Sequence, residues 1–246
     1  MDPQNPRTIA RVFGWLFVAT FVTSIPAYFI LYAPVRDDPG LITGTGADPT
    51  ASVALGAALE VFLIIANVGT AVVIYPILKR QSEIGAVGYV SARLVEAIFI
   101  AIGIISLLTF LLMRQQGTAG TDAALGEAFV AIYDRAFLVG PGFFAGLANG
   151  VILGYLMYRS GLVPRGMAML GLIGGPLVMA SGIAVMFDVA ERGSTFQAIA
   201  TIPEFFWELS LGIYCIVKGF RPSPILAMDG AVVRVPESPS AKREGV

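Results

Sequence analysis

Long apolar runs separated by short polar stretches organise this chain. A helix needs roughly 20 apolar residues to cross the hydrocarbon core of a membrane. The first run extends from Ile9 to Tyr32, interrupted by Arg11 and a few hydroxyls. It exceeds the ~7–15-residue core of a signal peptide, so it reads as a span, with Pro26 kinking its far end. Ala33 to Thr50, with Asp37, Asp38 and Asp48, reads as an aqueous loop. The second span covers Ala51 to Leu78 and carries Glu60 and Asn67, two turns apart on one face. Lys79 to Glu83 is a polar connection. The third span, Ala86 to Met113, carries Arg93 and Glu96, and Arg114 to Ala124 is a loop.

Leu125 to Tyr158 is too long for one straight span. Gly140-Pro141-Gly142 is expected to break it, leaving an amphipathic lead-in with Glu127, Asp134 and Arg135 and a fourth span from about Phe137. Arg159 to Arg165 is a tight basic turn, with Pro164 suited to open the next helix. The fifth span, Gly166 to Phe187, is glycine-rich, and small residues let helices approach closely in lipid. Asp188 to Gln197 is a loop. The sixth span, Ala198 to Val217, carries Glu204 and Glu208 one turn apart.

The predicted fold is therefore all-α, a polytopic six-helix transmembrane bundle over residues 1–220. Residues 221–246, rich in Pro, Ser and charge, read as a disordered tail. An even number of spans puts both ends on one side. That side holds Arg7, Arg11, Lys79, Arg80, Arg159, Arg165, Lys218, Arg221, Arg234, Lys242 and Arg243, whereas the opposite loops hold Arg36, Arg114 and Arg192. The bias predicts cytoplasmic termini and a multi-pass protein of the cell membrane.

Composition agrees. Hydrophobic residues make up 56% of the chain and charged residues 13%, with mean hydropathy +0.78. Soluble domains carry about 25% charged residues, so the expected surroundings are a lipid bilayer. The net charge of −1 offers no basic footprint for nucleic acid. Cys215 is the one cysteine, so no intrachain disulfide forms. The absence of histidine removes bis-histidine haem, histidine-ligated zinc and a Ser-His-Asp triad. No metal or cofactor is expected, and catalysis is not favoured.

Seven ionisable residues fall within or near hydrocarbon depth: Glu60, Arg93, Glu96, Asp134, Arg135, Glu204 and Glu208. Glu60 and Glu204 are expected in the outer third, Glu96 and Glu208 near the middle, Arg93 in the inner third, and Asp134-Arg135 at the outer boundary. A charge at mid-bilayer costs about 2.5–3.5 kcal/mol on insertion scales, so these groups must face each other or water. The simplest arrangement brings the second, third and sixth spans together, with Arg93 answering Glu96 or Glu208. Five carboxylates then meet two arginines. The surplus acids must be protonated, hydrated, or bound to a cation.

Glu60, Arg93, Glu96, Glu204 and Glu208 are accordingly the candidate ligand-binding residues. Asn67, Asp134 and Arg135 are secondary candidates. Three functions fit: a cavity binding or moving a small cationic or amphipathic solute, an accessory or regulatory subunit whose charges set packing, or an intramembrane lipid- or prenyl-modifying enzyme.

Several stretches carry a resemblance. Arg7-Thr8-Ile9-Ala10-Arg11 leads into Gly14 and a span ending at Ile25-Pro26. Tyr75-Pro76-Ile77-Leu78-Lys79 closes the second span. Ala92-Arg93-Leu94-Val95-Glu96-Ala97 forms an Arg-Leu-x-Glu element. The segment from Gly154 to Arg165, reading GYLMYRSGLVPR, is the most specific, and Pro203-Glu204, Glu208 and Lys218-Gly219-Phe220 complete the set. Over roughly residues 7–220 the chain resembles a bacterial family of multi-pass membrane proteins known as domain of unknown function 4386. The resemblance implies a six-helix membrane domain and no particular activity.

Overall fold

The computed structural model describes residues 5–38, 40, 47–116 and 123–227. The remaining parts of the two expected loops, and the tail from residue 228, lie outside the described residues. Six helices are long and apolar enough to cross a membrane: α1 (Pro6–Leu31), α3 (Thr50–Leu78), α4 (Glu83–Gln115), α5 (Ala124–Ser160), α6 (Arg165–Met186) and α7 (Thr195–Val217). A short helix, α2 (Ala33–Asp37), follows α1 inside the expected first loop, and α8 (Pro224–Ala227) follows α7.

Local chemistry marks the ends. The Asn5 side chain accepts from the Arg7 amide ahead of α1, and Ser82 and Ser194 cap α4 and α7 in the same way. Asp48 accepts from both the amide and the hydroxyl of Thr50 at the start of α3, and these bonds hold its carboxyl below the usual range. Gly161, at φ 68°, closes α5 in the left-handed conformation that glycine adopts without strain.

The fourth span corrects the sequence expectation. Gly140-Pro141-Gly142 does not break it, and no separate lead-in exists. Instead α5 runs unbroken through wide, π-helical turns over Gly140–Phe144 and Gly146–Leu153. Proline lacks an N–H, and its ring clashes with the carbonyl four residues back. A five-residue repeat accommodates it, and the Ala145 N–H bonds to the Gly140 carbonyl. The same device follows Pro26: a wide turn over Ala27–Leu31 ends with the Tyr32 N–H on the Ala27 carbonyl at 3.0 Å.

The helices form a closed ring in chain order, with α7 packing back on α1. Short connections force consecutive helices to be antiparallel neighbours. The second and third spans pack side by side as expected, whereas the sixth packs on the first and fifth, so α3 and α7 stand on either side of α1.

The half of the ring nearest the termini is filled by a large apolar core that includes Phe13, Phe17, Ile74, Tyr89, Met157, Trp207 and Leu211. At the opposite end a smaller core, with Val53, Leu107, Phe110 and Tyr133, joins α1, α3, α4 and α5. The outer surface is studded with large apolar side chains such as Trp15, Phe62, Ile65 and Ile105. In water such coverage would be a liability, and in hydrocarbon it matches the solvent.

The glycines of α6 allow close intrachain packing. Gly171 lies under the Trp207 indole, Gly174 against the Glu204 backbone, and Gly175 against Gly146 and Gly150 of α5. After α7, the Arg221 amide bonds to the Leu162 carbonyl at 2.8 Å and the Ser223 hydroxyl to the Ser160 carbonyl at 2.7 Å. The first residues beyond 220 are thus held against the α5–α6 turn.

Candidate functional site

Arg93 and Glu96 lie three residues apart on α4, so both project from one face. Arg93 Nη1 bonds Glu96 Oε2 at 2.7 Å. Across the helix interface, the Asn67 carboxamide is oriented to serve both: its Nδ2 donates to Glu96 Oε1 at 3.0 Å, and its Oδ1 accepts from Arg93 Nη2. Arg93 Nε also reaches the Asn67 carbonyl at 3.4 Å, and the guanidinium stands 6.0 Å from the Phe17 ring centre. All three residues are buried. The unit is internally satisfied and ties α3 to α4.

Glu60 is held differently. Its carboxylate accepts from the Tyr32 hydroxyl at 3.2 Å and from the Tyr133 hydroxyl at 2.9 Å. The two rings meet edge to face, 5.1 Å between centres. The wide turn after Pro26 carries Tyr32 inward, where it is fully buried.

Glu208 accepts from Asn149 Nδ2 at 2.5 Å. Asn149 in turn accepts from the Tyr89 hydroxyl through its side chain and from the Trp207 indole through its carbonyl. Glu204, one turn away, is the exception. It is 4% exposed, and neither carboxylate oxygen has a hydrogen-bond partner. Its Oε2 rests against bare glycine backbone. A Cβ at Gly150 or Gly174 would lie 2.7 or 2.8 Å from it. Only glycine leaves room for the carboxylate there.

These groups border one cavity of about 170 Å³. Glu60, Asn67, Arg93, Glu96, Glu204 and Glu208 all line it, together with Thr20, Phe21 and Ser24 of α1, Phe137, Pro141 and Ala145 of α5, Val178 of α6, and Thr201 and Phe205 of α7. Every long helix contributes. The large apolar core lies on the cavity's side toward the termini. With a helical rise of about 1.5 Å per residue, the cavity's carboxylates lie within the spans rather than at their ends.

Asp134 and Arg135 are not part of it. Neighbouring helical residues point about 100° apart, and the structure separates them. Arg135 is exposed. Asp134 accepts from Arg36 Nε at 3.1 Å and pairs with Arg192, so one carboxylate joins α2, α5 and the α6–α7 connection. Both arginines also donate to the Tyr28 hydroxyl at 2.9 Å, and burial lowers Arg192 from its ordinary value. The Tyr28 ring stacks on Phe137 at 4.1 Å, and Phe137 lines the cavity. Removing Asp134 and Arg135 from the count sharpens the imbalance: four carboxylates and one guanidinium remain around the void.

Sequence reasoning did not single out Tyr32, Ser24, Thr201 or Phe205. Tyr32 ends an apolar run as the one phenol beside the first loop's acids, a usable signal. Nothing in the spacing of the others distinguishes them from lipid-facing residues.

Six membrane-spanning-capable helices with a polar interior define an integral, multi-pass membrane protein. Across residues 12–219 the chain matches the family model described as "Domain of unknown function (DUF4386)", and it belongs to that family. No curated protein and no solved structure matches it.

Proposed function

We propose that this protein binds a small cationic or amphipathic solute in the carboxylate-lined cavity and moves it across the membrane. The observation that carries the reading is Glu204: a buried carboxylate with two unpartnered oxygens, aimed into a void. An isolated carboxylate in such surroundings is expensive, and a bound cation would supply the missing donors. The wide turns of α5 favour movement over static binding, since π-helical segments cluster at functional sites, and here they border the cavity. The basic bias of the connections supports termini on the cytoplasmic side of a bacterial cell membrane.

The Arg93–Glu96–Asn67 unit favours a second reading, in which the protein is an accessory subunit and its charges set helix register. The lipid-modifying enzyme has less support, because Arg93 directs its donors to Glu96 and Asn67 rather than to an anionic head group. Purified protein in sealed vesicles separates the first two readings. Uptake of labelled alkylammonium that is lost in Glu204→Gln and Glu208→Gln, with insertion intact, supports the cavity. Uptake and binding unchanged in both variants would end it.

A further inference from the structure

The cavity has a thin wall between α1 and α7. On the terminal half these helices are in backbone contact: a Cβ at Gly212 would lie 3.1 Å from Phe17 Cβ and 3.3 Å from the Gly14 carbonyl oxygen. Two turns further along, the rings of Phe21 and Phe205 stand between them, edge to face with centres 5.3 Å apart. Both rings line the cavity, yet Phe205 is 39% exposed on the outer surface. Thr201, one turn before it, also lines the cavity and is exposed, while Phe21 and Ser24 are half-buried. The same side chains therefore touch the void and the surrounding lipid. Exposed side chains change rotamer on the picosecond-to-nanosecond scale, so two rings form a weak barrier.

The chemistry inside restricts the occupant. Glu204 has no donor facing it, so its partner must bring donors, which in an organic cation are N–H groups, and Glu208 stands one turn away on the same face. A primary ammonium offers three donors, whereas a quaternary ammonium offers none. Among the described residues, no three His, Cys, Asp or Glu side chains converge to hold a metal ion. Beside hydroxyls of Thr20, Ser24 and Thr201, the lining includes the apolar side chains of Phe21, Phe137, Val178 and Phe205.

We infer that the ligand is a single-chain amphiphilic primary amine taken from the bilayer, its ammonium on Glu204 and its hydrocarbon chain leaving between α1 and α7 through the Phe21–Phe205 seam. This rests on the cavity being a cation site. It adds the source of the ligand, its donor chemistry and the path of its tail. The chain stays in hydrocarbon throughout, so its length is not limited by the cavity.

The test is calorimetric titration of the full-length protein in phosphatidylcholine nanodiscs, with concentrations referred to the bilayer. Butylammonium and dodecylammonium should bind within about tenfold of each other, and dodecyltrimethylammonium at least about tenfold more weakly, the loss expected for one charge-assisted hydrogen bond. Glu204→Gln should lose both primary amines while melting no lower than the parent. Thr201→Trp, on the exposed face, should weaken dodecylammonium at least about tenfold more than butylammonium. Binding of butylammonium without dodecylammonium, or equal binding of the trimethyl compound, would overturn this inference and leave the cation site standing. Failure of every amine to bind the folded protein would remove both.

Discussion

Glu204 and Glu208 project from the same face of α7, one turn apart, and only Glu208 has a hydrogen-bond partner. The difference comes from what faces each: Asn149 offers its amide to Glu208, whereas Gly150 and Gly174 offer Glu204 only backbone.

Stability should therefore respond differently to neutralising different acids. Glu204→Gln replaces a buried carboxyl that bonds nothing, so the melting temperature of the detergent-solubilised protein should hold or rise. Glu96→Gln removes the partner of Arg93 and should lower it, because leaving one member of a buried pair costs about 3–5 kcal/mol. Equal destabilisation by both would contradict the assignment of Glu204 as unpartnered.

The Arg93–Glu96 pair should behave as a unit. Arg93→Leu alone is expected to impair folding severely. The double replacement Arg93→Leu/Glu96→Leu should recover much of that loss, since apolar residues often substitute for buried pairs with little cost. Thermal melts of the three proteins measure the coupling. Additive losses would mean that the two side chains act independently.

Asp134 should act as a latch on the end away from the termini. Asp134→Asn leaves Arg36 and Arg192 without their shared carboxylate. The groups are partly exposed, so a global loss of only about 1 kcal/mol is expected. Locally the α6–α7 connection should loosen, and trypsin should cut after Arg192 faster than in the parent. Unchanged cleavage would show that the Tyr28 contacts alone hold the segment.

A pH effect belongs to the start of α3. Bonds from Thr50 depress the folded-state value of Asp48. A depressed carboxyl adds stability that is present above its unfolded value and is lost as pH falls through its folded value. The Thr50 amide signal should accordingly shift with a midpoint below the usual 3.8 of a free aspartate. A midpoint at or above that value would mean the cap is not formed.

Much of this architecture was legible in the chain. Continuous apolar runs mark all six long helices, and helical spacing alone places Arg93 with Glu96 and Glu204 with Glu208. Partners distant in sequence were harder to read. Tyr32 and Tyr133 reach Glu60 because a wide turn and a neighbouring helix bring them there, which periodicity does not encode. Gly140-Pro141-Gly142 suggests a break because an α-helix cannot absorb proline without loss, whereas a π-helical turn can. Asp134 and Arg135 look like a local pair in sequence, yet adjacent positions on a helix diverge, and Arg36 and Arg192 arrive from α2 and the α6–α7 connection, whose paths depend on the closed ring.

The central claim is that Glu204 holds a cation inside the ring. The most direct measurement is a crystal of the protein grown with 6-bromohexylammonium and examined at the bromine absorption edge. An anomalous peak is expected beside Phe21 and Phe205, with density for the amine reaching Glu204, and no peak in Glu204→Gln. A peak elsewhere, or an empty cavity at saturating amine, would contradict it.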